Sequence, residues 1–116
     1  MKVYGIKNCN TVKKALDWLT ENGIPFEFHD YKKQGITAEK LSEWAVRIGW
    51  EPLLNRKGTT WRQLEPEVRE SVTGEEAALA LMAAKTSVIR RPLIESDRGL
   101  LLGFDEAQYA DVLLKP

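Results

Sequence analysis

The first third of the chain changes its hydrophobic period twice, and this order restricts the fold more than any other feature. Residues 2–6 alternate polar and apolar side chains, and residues 25–31 place Phe26 and Phe28 on one face; both patterns are typical of strands. Between them, residues 10–22 carry apolar side chains at helical spacing, namely Val12, Ala15, Leu16 and Leu19. A strand, a helix and a strand at this spacing predict a βαβ unit with parallel strands.

The middle of the chain, residues 37–85, predicts helices only. Thr37 is a favourable N-cap, and Thr60-x-x-Gln63 and Thr73-x-x-Glu76 have the pattern of capping boxes. Residues 32–35 are polar and predict a loop before the first of these helices.

The last part of the chain predicts a hairpin and a final helix. Two short apolar runs, residues 93–96 and 99–103, flank a turn at Asp97-Arg98-Gly99. Asp105-x-x-Gln108 then caps a helix. The order βαβ, helical insertion, ββα predicts an α/β, thioredoxin-like fold with a four-stranded mixed sheet.

Size and charge exclude several kinds of protein. At 116 residues the chain predicts one domain, residues 1–116, with an all-helical insertion at about 37–85. Lys plus Arg and Asp plus Glu number 17 each, so we expect no nucleic-acid partner. No apolar run is long enough for a membrane span and no signal-peptide pattern is present, so we expect no membrane association and a cytoplasmic protein.

Cys9 is the only cysteine, and it lies where the first strand gives way to the first helix. The chain therefore cannot form an internal disulfide, and with a single histidine we expect no Cys/His metal site. A thiol at a helix N-terminus lies near unpaired N–H groups and the positive end of the helix dipole, which favour the thiolate. A small buried hydrophobic residue is the alternative interpretation.

The neighbours of Cys9 support a reactive thiol. Asn8, Asn10 and Thr11 make its loop polar, which does not suit a core position. Lys13 lies four residues after Cys9, hence on the same side of the helix, where its charge would stabilise a thiolate.

Several separated motifs resemble the arsenate reductase (ArsC)/Spx family, and in particular its YffB branch of glutathione-dependent thiol reductases. They occur in the family's order and are residues 4–14, Trp18-Leu19, Asp30-Tyr31-Lys32-Lys33, Asn55-Arg56-Lys57 and Arg91-Pro92-Leu93. The resemblance implies a thioredoxin fold with Cys9 as the catalytic cysteine. It also implies an arginine before a cis-proline at Arg91-Pro92 and a basic loop residue at Arg56.

Two departures from the family pattern bear on function. Arsenate reductases resemble Cys-x-x-x-Arg here, whereas this chain has Lys13, and an ammonium cannot make the two-pronged contact of a guanidinium with an oxyanion. Gly5 replaces the histidine that precedes the loop. The Spx branch resembles Cys-x-x-Cys, whereas this chain has Val12 at the fourth position and so lacks an internal redox switch.

These residues predict a monothiol enzyme, a glutathione-dependent thiol–disulfide oxidoreductase. With no second thiol, a mixed disulfide on Cys9 needs an external thiol to resolve it, and glutathione is the expected co-substrate. Arg56 and Arg91 would pair with the glutathione carboxylates or another anion. We expect no bound cofactor, and glutathione and a glutaredoxin-like reductant as partners. The alternatives are a non-catalytic, Spx-like regulator that binds RNA polymerase, and an arsenate reductase.

Overall fold

The computed structural model describes all 116 residues and contains one four-stranded mixed sheet. The strands occur in the spatial order β2-β1-β3-β4, with β1 parallel to β2 and the other neighbours antiparallel. Their bounds are Lys2–Gly5 for β1, Glu27–Asp30 for β2, Leu93–Ser96 for β3 and Gly99–Leu102 for β4. The predicted thioredoxin-like arrangement of βαβ, helical insertion and ββα is confirmed.

The chain divides into two compact units. The sheet unit comprises residues 1–34 and 91–116, and the helical unit comprises residues 35–90. Besides the strands, the sheet unit contains α1 (Asn10–Glu21), α2 (Tyr31–Gln34), α8 (Glu106–Tyr109) and a π-helical turn (Ala110–Leu114). The helical unit contains α3 (Ala38–Ile48), α4 (Trp50–Leu53), α5 (Thr59–Arg62), α6 (Pro66–Glu70), α7 (Glu75–Ala84) and a 3₁₀ turn (Thr86–Val88). No helix is both long and apolar enough to cross a membrane.

One face of the sheet carries the core of the sheet unit. Val3, Ile94 and Leu101 lie opposite one another across three strands and are buried. They pack with Ala15 and Leu19 of α1, as the helical spacing predicts, and with Tyr109 of α8. Burying this apolar set holds α1 across the sheet, which fixes where the helix begins.

The structure corrects two predictions of local structure. The sequence predicts a loop at residues 32–35, whereas the chain forms the short helix α2 from Tyr31, because the Asp30 carboxylate accepts a hydrogen bond from the Lys32 N–H at 2.9 Å. The prediction of capping boxes at Thr60 and Thr73 is wrong. Helices α5 and α7 begin after Gly58 and Gly74, whose backbones are extended, so no side chain caps either helix.

Gly5 at the end of β1 has no room for a side chain. A Cβ atom there would lie 2.9 Å from Cγ2 and 3.3 Å from Cγ1 of Val12, which is fully buried in the first turn of α1. We therefore expect Gly5→Ala to lower the free energy of unfolding by ~1–3 kcal/mol, measured by urea denaturation.

A double-mutant cycle tests the cause of this loss. Val12→Ala removes both methyl groups that the new Cβ would meet, so adding Gly5→Ala to Val12→Ala should cost at least ~1 kcal/mol less than it costs in the wild type. Equal costs in both backgrounds would contradict the contact with Val12.

Candidate active site

Cys9 is the N-cap residue of α1, with an extended backbone at φ −116° and ψ 121°. Its carbonyl oxygen accepts a hydrogen bond from the Lys13 N–H at 3.0 Å, so the backbone of Cys9 starts the helix. The thiol is half-buried and makes no capping hydrogen bond. The fold thus uses the backbone of Cys9 and leaves its sulfur atom for other chemistry.

The residues around Cys9 form an exposed polar loop on a buried support. Asn8, Asn10, Thr11 and Lys13 are exposed, whereas Val12 beneath them is fully buried. The first turn of α1 contains no acidic residue. The start of a 12-residue helix with no carboxylate in its first turn favours an anion, because no residue of that turn neutralises its N–H groups and its dipole.

Arg91 and Pro92 lie at the same edge of the sheet as the Cys9 loop. Leu93 pairs with Tyr4, so the preceding Pro92 lies beside the end of β1, from which the loop departs. The Arg91-Pro92 peptide bond is cis, as the family resemblance implies. Arg91 is half-buried, and its Nε atom is buried. The sheet topology therefore brings a guanidinium group and the cysteine loop to one edge.

Tyr31 belongs to the same edge, because β2 runs parallel to β1 and ends at Asp30 beside Gly5. Its hydroxyl is buried and has no hydrogen-bond partner. Burial raises the pKa of Tyr31 well above its usual range, and Tyr4 and Glu95 add to this effect. The positive charge of Arg91 acts in the opposite direction.

The second face of the sheet carries a polar cluster around Tyr4 and Tyr31 that was not predicted from the sequence. The Tyr4 ring lies 4.7 Å from the His29 ring and 6.2 Å from the Tyr31 ring, and the Tyr4 hydroxyl donates to Glu95 at 3.0 Å. The one available signal was the two-residue spacing of His29 and Tyr31, which is typical of side chains on one face of a strand. The pairing of Tyr4 with His29 adds the third ring to that face, and this register was not predictable from the local sequence.

Arg56 belongs to the helical unit, in the loop between α4 and α5. Its guanidinium carbon lies over two indole rings, 5.7 Å from the centre of Trp50 and 5.8 Å from the centre of Trp61. The sequence predicted the arginine as an anion-binding residue and assigned no role in binding to either tryptophan. No group of three or more His, Cys, Asp or Glu side chains is placed to hold a metal ion.

Comparisons of the sequence and of the structure with known proteins all find relatives in one family. The model of the ArsC family matches residues 4–112. A solved structure named YFFB protein is 43% identical, with a TM-score of 0.91 over 97% of each chain. An arsenate reductase (ArsC) related protein from Brucella melitensis is 48% identical, with a TM-score of 0.74 over 95% of this chain and 91% of that one. The global transcriptional regulator Spx 1 of Lactococcus lactis subsp. lactis is 26% identical over 90% of this chain and 81% of its own.

Proposed function

Because the chain belongs to the ArsC family, and within it to the YffB branch, we propose that it is a thiol–disulfide oxidoreductase with Cys9 as its only nucleophile and glutathione as its co-substrate. The solved relative described as related to arsenate reductase supports a reductase of this general kind.

The position of the Cys9 thiol carries the proposal. It lies at the N-cap of α1, is accessible in part, and takes no part in capping the helix. A sulfur anion there is stabilised by the helix dipole and by N–H groups that have no partner within the helix. A nucleophilic cysteine needs this environment, since the thiolate is the reactive form.

The chemistry proceeds in two exchanges that balance. The Cys9 thiolate attacks the glutathione sulfur of a mixed disulfide substrate, forms a Cys9–glutathione disulfide, and releases the substrate sulfur as a thiolate that takes a proton from water. A second glutathione thiolate then attacks the glutathione sulfur bound to Cys9. Oxidised glutathione leaves, and the Cys9 thiolate is restored.

The charged residues of the loop and edge would bind and orient the co-substrate. Lys13 is exposed one turn after Cys9, a spacing that places two side chains on the same side of a helix, so its positive charge would favour an anion at Cys9. Arg91, at the edge where the cysteine loop begins, would pair with a glutathione carboxylate. Asn8, Asn10 and Thr11 offer exposed polar groups for the peptide part of glutathione.

The direct test is intact-mass analysis of the reduced protein after exposure to oxidised glutathione. We expect the added mass of one glutathionyl group, which Cys9 carries as the only cysteine, and its complete removal by reduced glutathione. The same chain in urea is the matched control, because there the helix dipole is lost. The folded protein should form the adduct faster at neutral pH. No adduct on the folded protein would overturn the proposal.

A second candidate is a regulator without turnover, which the similarity to Spx 1 favours. Val12 stands where the Spx pattern has its second cysteine, so any such role would lack an internal disulfide switch. Co-purification with RNA polymerase by a protein whose Cys9 stays unreactive would support this candidate over the enzyme.

A further inference from the structure

Arg56 is an exposed arginine whose surroundings are ordered by the fold. Its loop is fixed on both sides: the Asn55 N–H donates to the Val88 carbonyl at 2.8 Å, and the Lys57 N–H donates to the Asn55 side chain at 3.1 Å. Trp50 opens the helix before the loop, and Trp61 lies in the helix after it. Both tryptophans are half-buried, so each ring has one side against the protein.

The contacts of Arg56 leave its donors available. The guanidinium lies over the two indole rings and makes no hydrogen bond or ion pair with another residue. A ring contact engages the π face of a guanidinium, whereas its five N–H donors point outward in the guanidinium plane. An arginine held in this way loses less side-chain freedom when a planar anion binds to its N–H fork.

We infer that Trp50 and Trp61 are positioning residues that hold the guanidinium of Arg56 as a preformed fork for a carboxylate. The inference rests on the proposed function for the identity of the ligand, because glutathione carries two carboxylates. Two rings, contributed by two different helices, restrict the arginine more than one ring would, which is why both tryptophans are included.

The test is to measure glutathione binding by calorimetry in the Cys9→Ser protein, which cannot form the Cys9–glutathione disulfide. Trp50→Leu and Trp61→Leu should each weaken binding about fivefold, a change equivalent to ~1 kcal/mol. Trp50→Phe and Trp61→Phe keep an aromatic face and should remain within about twofold of the parent. Arg56→Lys keeps the charge but loses the fork and should weaken binding about tenfold.

Two controls separate a carboxylate contact from general charge. Lys57→Ala removes a neighbouring exposed cation that touches no ring, and should change binding by less than about twofold. Glutathione dimethyl ester, with both carboxylates masked, should bind the parent weakly and should not distinguish it from the Trp→Leu variants.

The outcomes are distinguishable from those of the proposed function. Equal glutathione binding by the parent and both Trp→Leu variants, or no binding by the Cys9→Ser protein at all, overturns the inference. If one variant fails to fold, the other decides. Failure of the wild type to form the Cys9 adduct overturns the proposed function, and glutathione binding that depends on both tryptophans would still stand beside that result.

Discussion

Replacing Cys9 by serine is expected to abolish glutathione-dependent reduction and at the same time to stabilise the protein. The loss of turnover should reach at least about a thousandfold, because a hydroxyl group forms no disulfide and the chain has no other thiol to replace it. The gain in stability follows from the helix start, where the N-cap position is occupied by a residue that does not cap.

The other caps of this chain show what serine would add. Thr37 and Asp105 have extended backbones like that of Cys9, and each accepts a hydrogen bond at 3.1 Å from the N–H three residues later. The Cys9 side chain makes no such bond. A serine hydroxyl in its place should accept one from the first turn of α1, which is worth ~1 kcal/mol of unfolding free energy.

The measurements are turnover of a glutathionylated thiol substrate and urea unfolding of the same preparations. Cys9→Ala is the matched control, since alanine removes the thiol and cannot cap; it should lose turnover without the gain in stability. Turnover that survives in Cys9→Ser would remove Cys9 from the mechanism. If Cys9→Ser is no more stable than Cys9→Ala, a side chain at position 9 does not cap α1, and the expected gain in stability is wrong.

Local chemistry accounts for most of what the sequence predicted correctly. The strands and helix of the βαβ unit, the hairpin, and the caps at Thr37 and Asp105 were each predicted from patterns of residues a few positions apart, and all are present. The position of Cys9 at the start of α1 was predictable for the same reason. The capping boxes at Thr60 and Thr73 were wrong because a preceding glycine with an extended backbone took the N-cap position instead.

The remaining features depend on residues that are distant in sequence. Tyr31 became a buried group with no hydrogen-bond partner through the register of β2 against β1 and the start of α2, neither of which its own sequence neighbours specify. The two rings around Arg56 come from positions six residues before and five after it, a spacing that matches neither a helix nor a strand. A functional assignment of Trp50 and Trp61 therefore required coordinates.

The buried tyrosines predict a loss of stability in alkali. Burial raises the pKa of Tyr31 and of Tyr109 well above the usual value of 10.0. In the unfolded chain both groups ionise near that value, whereas in the folded protein they keep their protons. The unfolded state therefore binds fewer protons above about pH 10, and each tyrosine lowers the free energy of unfolding by ~1.4 kcal/mol per pH unit beyond it. Below about pH 10 both tyrosines keep their protons in the folded and the unfolded state, so this loss of stability is absent.

Phenylalanine variants isolate each contribution. Tyr31→Phe removes a buried hydroxyl that has no partner, so its stability at about pH 8 should equal or slightly exceed that of the wild type. At about pH 11 the variant should be ~1.4 kcal/mol the more stable, because one ionisation has been removed.

Tyr109→Phe loses the hydrogen bond that the Tyr109 hydroxyl donates to the Gly103 carbonyl at 2.5 Å, which costs ~1 kcal/mol near neutral pH. Above about pH 10, its free energy of unfolding should nevertheless fall less steeply with pH than that of the wild type. Urea unfolding across this range checks both, and a Tyr31→Phe profile parallel to that of the wild type would mean that Tyr31 ionises as readily in the folded protein as in the unfolded chain.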